Sequence, residues 1–283
     1  MLKTVDVYST LGLASTLTFD EDLPVESDFV QVKNIDGLDP VKANIDTVAA
    51  STRDGLSSID TSVPSRNIVM TLRPNPDWSS YTAETLRKFL YSYFIPKNRV
   101  KLVFDSDEVG VVEISGVVES CDANPFSKDP EYVISIICED PYFTAVEATV
   151  VTGSVISPED WETLAEIVHI DGTVPVGFKV SMSYGALTRA SMQVADPAVQ
   201  IFTVVYHTDD TVVFQMNSVP GEKFVRTVDS TTGHFTNILK SVMFGSVWPM
   251  LQPGDNKFSV VSPGLTGLGY TWELSCFEKF GGI

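Results

Sequence analysis

The sequence predicts a mainly β protein with one helix, long enough for two domains. Helical spacing of apolar residues is confined to Thr82–Tyr93. Elsewhere short runs rich in Val, Ile, Thr and Phe stand between Gly, Pro, Asn and Asp, the pattern of sandwiches and small barrels rather than of βαβ units. At 283 residues the chain can bury two ordinary cores.

The elements follow in order. A first strand is expected over Asn67–Leu72. For the helix, Ser79, Ser80 and Thr82 are cap candidates and Glu84 suits the first turn. Leu86, Phe89, Leu90 and Tyr93 form one stripe, with Arg87 and Lys88 off it, and Pro96 stops the helix. Strands are then expected over Arg99–Phe104, where Val100, Leu102 and Phe104 alternate, and over Val109–Glu119 and Tyr132–Glu139. Pro141 interrupts pairing in the run Asp140–Phe143, so a second domain is expected to begin near residues 145–155. There Ser157 is a cap candidate and Pro158 a helix start. Further strands are expected over Val174–Ser183, Ile201–Tyr206, Thr211–Met216, Lys223–Val228, Lys257–Val261 and Tyr270–Phe277, with Asp209 and Asp210 forming a hairpin turn.

Composition narrows the function. With 43% hydrophobic residues and a mean hydropathy of +0.11 the chain reads as folded. No apolar run is long enough to span a bilayer, and the acidic N-terminal stretch does not read as a signal peptide, so a soluble, unsecreted protein is expected. The balance of 19 Lys and Arg against 37 Asp and Glu gives −18, which disfavours a grip on nucleic-acid phosphates. Cys121, Cys138 and Cys276 share no metal-type spacing and read as reduced, buried thiols.

Catalytic patterns are not evident. His169, His207 and His234 lie apart and form no two-ligand helix motif, and no serine occupies a G-x-S-x-G elbow. The acidic pairs Asp20/Asp22, Asp105/Asp107, Glu139/Asp140 and Asp209/Asp210 read as turn and strand-end residues. Gly264–Tyr270 precedes a strand rather than a helix, which argues against a phosphate loop. Trp78, Trp161, Trp248 and Trp272 leave a competing reading open, a carbohydrate-binding β-sandwich module that stacks sugars on an exposed tryptophan.

A series of short signals stands in fixed order. Gly37-Leu38 is followed by Asp54-Gly55, then by Arg66 with the hydrophobic run Ile68–Leu72. Next come the helix end Leu90, Tyr91, Tyr93, Phe94 and Pro96, the Gly116–Glu119 element, and Cys138, Asp140, Pro141, Tyr142 and Phe143. In this order they resemble the N-terminal region of the distal tail (Dit) proteins of long-tailed phages. Trp248–Val260 and Phe277–Ile283 extend the likeness more weakly, and residues 150–245 carry no motif of that family.

The resemblance implies an N-terminal β-sandwich or split-barrel ring domain over residues 1–148, completed by residues 277–283. It further implies a galectin-like C-terminal β-sandwich over residues 149–276. The implied protein is structural rather than enzymatic, with no catalytic, cofactor or metal site. It forms a homohexameric ring in the virion at the tail tip or baseplate, is assembled in the host cytoplasm and touches no membrane. Its implied partners are the tail tube protein and a tail hub or tail-associated protein, and DNA passes through without specific binding. Arg66, Tyr91, Tyr93, Phe94, Tyr142 and Phe143 are the expected ring or core contacts.

Overall fold

In the computed structural model the described residues are 2–9, 17–20, 30–49, 56–74, 82–123, 130–157, 160–183, 189–195, 199–205, 212–262 and 270–283. The chain forms two compact units, Met1–Val146 with Phe280–Ile283, and Glu147–Lys279. Asp54-Gly55, Ser79, Ser80, Pro158, His207, Asp209 and Asp210 lie outside the described residues.

The first unit contains β1 (Leu2–Ser9), β2 (Leu17–Asp20), β3 (Val30–Asp36), β4 (Asn44–Ala49), β5 (Leu56–Ser62), β6 (Arg66–Pro74), α1 (Ala83–Tyr93), β7 (Arg99–Ser106), β8 (Gly110–Ala123), β9 (Tyr132–Cys138) and β10 (Phe143–Ala145). One antiparallel sheet runs β2-β1-β7-β8-β9-β6-β3, with β10 on β8 and the closing strand Lys279–Phe280 on β10. Its end strands β2 and β3 approach each other, so the sheet curls into a half-barrel.

Strand alternation fills this curl. Ile68, Met70 and Leu72 of β6, Val100, Leu102 and Phe104 of β7, and Ile134 and Ile136 of β9 are buried in one cluster. Gly116 lies where β8 presses on β9: a Cβ there would meet Ile136 Cγ2 at 2.6 Å and Cys138 Sγ at 2.9 Å. Its place within a strand is therefore a packing requirement.

Helix α1 starts at the expected Thr82, whose Oγ1 accepts from Thr85 N at 3.3 Å. Leu86, Leu90 and Tyr93 are buried, whereas Phe89, expected on the same stripe, is exposed. Asn98 ends the helix by donating from Nδ2 to the Tyr93 carbonyl at 2.9 Å and to Ser9 Oγ at 2.8 Å.

The second unit contains β11 (Thr149–Ser154), α2 (Trp161–Leu164), β12 (Glu166–Ile170), β13 (Lys179–Ser183), β14 (Arg189–Ala195), β15 (Gln200–Val205), β16 (Val212–Asn217), β17 (Phe224–Asp229), β18 (Phe235–Asn237), β19 (Gly254–Val261) and β20 (Thr271–Cys276); the closing strand is β21. A six-stranded sheet, β11-β20-β13-β16-β17-β18, packs on a four-stranded one, β12-β19-β14-β15. Phe258 joins the two layers edge-on, 5.4 Å from the Phe178 ring and 4.8 Å from Trp272.

Two expectations in this unit need correction. Ser157 caps no helix: α2 is a single turn after Asp160, and the chain then enters β12, which pairs with β19. The strand expected from Val174 begins at Lys179. Before it, Val176 makes a lone bridge to Leu251, and Gly177 lies so close to Val219 that a Cβ would meet its Cα at 2.5 Å.

Burial raises the thiol pKa of Cys138 to about 11 and of Cys276 to about 12. At pH 8 both should resist iodoacetamide in the native protein and react once urea unfolds it, as mass spectrometry would read. Phe258→Ala should destabilise the second unit by about 3 to 5 kcal/mol, measured by urea denaturation.

Candidate assembly site

The first unit is tied together at Arg66, which opens β6 and is 1% exposed. Its Nε donates to the Pro141 carbonyl at 2.6 Å. Nη1 donates to the carbonyls of Gly37 and of Asp39, the latter at 2.8 Å, and Nη2 donates to the Gly281 carbonyl. The Phe143 ring lies 4.5 Å from the guanidinium carbon. Desolvation lowers the pKa of Arg66 from its ordinary value, partly offset by Cys138 and Asp39, and an arginine stays charged throughout.

Backbone geometry around this knot is equally restricted. Gly37 has φ +93°, and a Cβ there would run into the Asn67 carbonyl oxygen. A Cβ on Gly282 would meet Pro40 Cδ at 2.7 Å, and Ile283 N donates to the Leu38 carbonyl at 3.2 Å. The Gly-Leu segment, the Asp-Pro-Tyr-Phe segment and the Phe-Gly-Gly-Ile tail thus meet on one side chain.

A two-stranded ribbon rises from this knot. Among the described residues β4 and β5 pair only with each other, from Asn44↔Ser62 to Ala49↔Leu56. One foot follows Asp39 and the other leads into Arg66, so the guanidinium clamps its root. The ribbon exposes Ile45, Val48, Leu56 and Ile59, the last at 69%. Asp46 stands directly opposite Asp60, and β4 and β5 carry no Lys or Arg. This ribbon has no counterpart among the expected strands. Its readable sign in the sequence was the Asp54-Gly55 dipeptide, which lies outside the described residues, between runs containing Ile, Val and Thr.

Phe89 and Tyr91 are exposed on opposite flanks of α1, and Ile95 is exposed at its exit. Of the expected contact residues, Arg66, Tyr93, Phe94 and Phe143 are buried, Tyr142 is half-buried, and Tyr91 is 40% exposed.

The remaining candidates for chemistry are dispersed. Among the described residues no three or more His, Cys, Asp or Glu side chains are grouped to hold a metal. Trp272 is buried in the sandwich core with Nε1 donating to the Ser154 carbonyl at 3.0 Å, and Trp248 packs on Phe202 at 4.7 Å. His169 sits between carboxylates, with Nδ1 on Asp255 and Nε2 on Asp171 at 3.1 Å. The Asp255 hydrogen bond above all raises its pKa, because the imidazolium donates from both nitrogens.

No family model and no curated protein matches the chain. Among solved structures, the Dit (gp 19.1) protein of SPP1, described as a paradigm of the hub adsorption apparatus of phages infecting Gram-positive hosts, aligns over 98% of this chain and 99% of its own, with a TM-score of 0.64 and 15% identity. The chain has the Dit fold. Two chains of the phage p2 baseplate in its activated conformation align over 99% and 100% of this chain and of their own, with TM-scores of 0.46 and 0.44 and identities of 11% and 9%. The Dit fold thus spans both units, including residues 150–245, where the sequence showed no Dit motif.

Arg66→Ala should cost about 3 to 5 kcal/mol in urea unfolding, because buried carbonyls lose their donors. Arg66→Lys should recover only part of that, since an ammonium lacks the planar fork. In an NMR titration the His169 midpoint should lie above the ordinary value of about 6.5 and fall on Asp255→Asn. A raised folded pKa means this clasp contributes fully below the unfolded pKa and is lost as pH rises through the folded one.

Proposed function

We propose that this chain is a Dit-type hub protein of a long-tailed phage. It forms a six-fold ring joining the tail tube to the baseplate or tail tip, and DNA passes through the bore. The observation that carries this reading is the likeness to SPP1 Dit over essentially the whole length of both chains. The ordered motifs that converge on Arg66 support it independently.

A closed ring of identical chains needs a heterologous contact, in which two different patches meet. The first unit offers the exposed β4–β5 ribbon and, on α1, the exposed Tyr91. Tyr91 and Tyr142 are the ring-contact candidates, whereas Arg66, Tyr93, Phe94 and Phe143 hold the ring-forming unit in shape. Function here is interface chemistry rather than catalysis. The partners are the tail tube protein on one side and a tail hub or tail-associated protein on the other, in a virion part assembled in the host cytoplasm.

Charge fits passage without capture. Six chains of −18 carry about −108 formal charges, and acidic walls repel the phosphate backbone.

Mass photometry and negative-stain electron microscopy of the full chain, alone and with tail tube protein, should show six-fold rings of about 186 kDa, six times 31.0 kDa. A chain that stays monomeric under both conditions contradicts the proposal. A bore rich in Lys and Arg in the assembled ring contradicts the passage mechanism.

A further inference from the structure

We propose that the outer face of the six-stranded sheet in the second unit is a saccharide site selective for sugars that carry a carboxylate, the uronic-acid class. Arg226 holds the carboxylate and Phe235 carries the sugar ring. The site lies outside the first unit and is independent of the ring reading above.

Strand register builds the face. Arg226 of β17 stands directly opposite Gln215 of β16 on one side and Asn237 of β18 on the other. Gln215 stands opposite Ser181 of β13, and Ser181 stands opposite Glu273 of β20. Directly paired residues share a face, so Glu273, Ser181, Gln215, Arg226 and Asn237 form one polar row across the sheet. The residues that alternate with them, among them Val180, Phe214, Val225 and Leu274, are buried in the sandwich core, so the row faces outward.

Arg226 is the fixed point of that row. Its Nε donates to Gln215 Oε1 at 2.9 Å. Its guanidinium carbon lies 4.3 Å from the centre of the Phe224 ring and 5.4 Å from that of Phe235. These contacts hold the planar fork in place before any ligand arrives, which lowers the ordering cost of binding. Among the described residues the ion pairs of the second unit belong to His169 and Lys179, and none belongs to Arg226. Its Nε is engaged by a neutral amide, so the Nη groups remain for an anion, and a carboxylate accepts two parallel hydrogen bonds from such a fork.

The surroundings select a sugar. Phe235 is 60% exposed, with the His234 ring stacked beside it at 6.3 Å. An aromatic ring held open on a sheet is an apolar platform for the C–H face of a sugar ring. Asn237, Gln215 and Ser181 bring amide and hydroxyl groups, which together donate and accept as sugar hydroxyls require. Asn237 is itself fixed, its Oδ1 accepting from Leu239 N at 2.9 Å. The exposed Glu273 stands three strands from Arg226, about 14 Å at the usual strand spacing. There its carboxylate accepts from a hydroxyl further along a short oligosaccharide and repels a densely charged polyanion. The platform is thus a phenylalanine, whereas Trp272, one of the tryptophans weighed for sugar stacking, is buried in the core.

Saturation-transfer difference NMR on the full-length chain tests the site. The probes are the methyl glycosides of glucuronic and galacturonic acid, and the controls are the neutral methyl glycosides of glucose and galactose. At least one uronide should give ring-proton signals and bind at least about tenfold more tightly than its neutral counterpart. Arg226→Gln should remove that preference, and Arg226→Lys should weaken the uronide at least about threefold, because an ammonium lacks the fork. Phe235→Ala should remove the ring-proton signals, with circular dichroism confirming that each variant is folded. The wild-type comparison stands whether or not a variant folds. Equal binding of uronides and neutral glycosides, silence from all of them, or a preference that survives Arg226→Gln overturns the site. A glutamate-rich peptide that binds where the sugars stay silent overturns it in favour of a peptide-binding face.

Discussion

Buried guanidinium groups must find acceptors for their donors, and the Arg66 guanidinium finds them in the carbonyls of Gly37, Asp39, Pro141 and Gly281. These lie far apart in the chain, so one side chain fixes where the ribbon begins, where the first unit ends and where the tail returns. The Phe143 ring beside the guanidinium excludes water and strengthens each bond. Gly37 and Gly282 are consequences of that knot, because the segments they belong to approach backbone too closely for any Cβ.

The second unit is an insertion that closes on itself. The chain enters it at Glu147 and leaves it at Lys279. Its entry and exit are stitched side by side, since Thr149 pairs with Cys276 in neighbouring strands. The Glu278 carboxylate accepts from Thr149 Oγ and from Gly172 N, each at 2.8 Å. A domain whose ends are held together can be inserted without straining its host. Only Phe280–Ile283, rather than the longer stretch from 277, belongs to the first unit.

Charge is distributed unevenly, which composition alone conceals. The overall excess of acid belongs to the chain as a whole, whereas the basic residues along α1 are local and lie beside the exposed Phe89 and Tyr91.

The sequence by itself determined most of the elements whose residues alternate against a core, although β1 and β14, which bury Val5 and Val7 and Ala190, Met192 and Val194, were not among the expected strands. β6 to β9, β13, β15 to β17, β19 and β20 were legible because one face of each is buried, and α1 because its apolar stripe has helical spacing. It also determined the order of motifs that resembles Dit proteins. Elements that answer to no core left little trace: β4 and β5 bury almost nothing, so Thr, Ser and Asp fill them and no alternation marks them. Tertiary structure alone decided what the motifs are for. Whether Tyr91 or Tyr93 faces solvent follows from which side of α1 meets the sheet, and the partners of Arg66 are carbonyls, which every residue possesses and no sequence pattern announces.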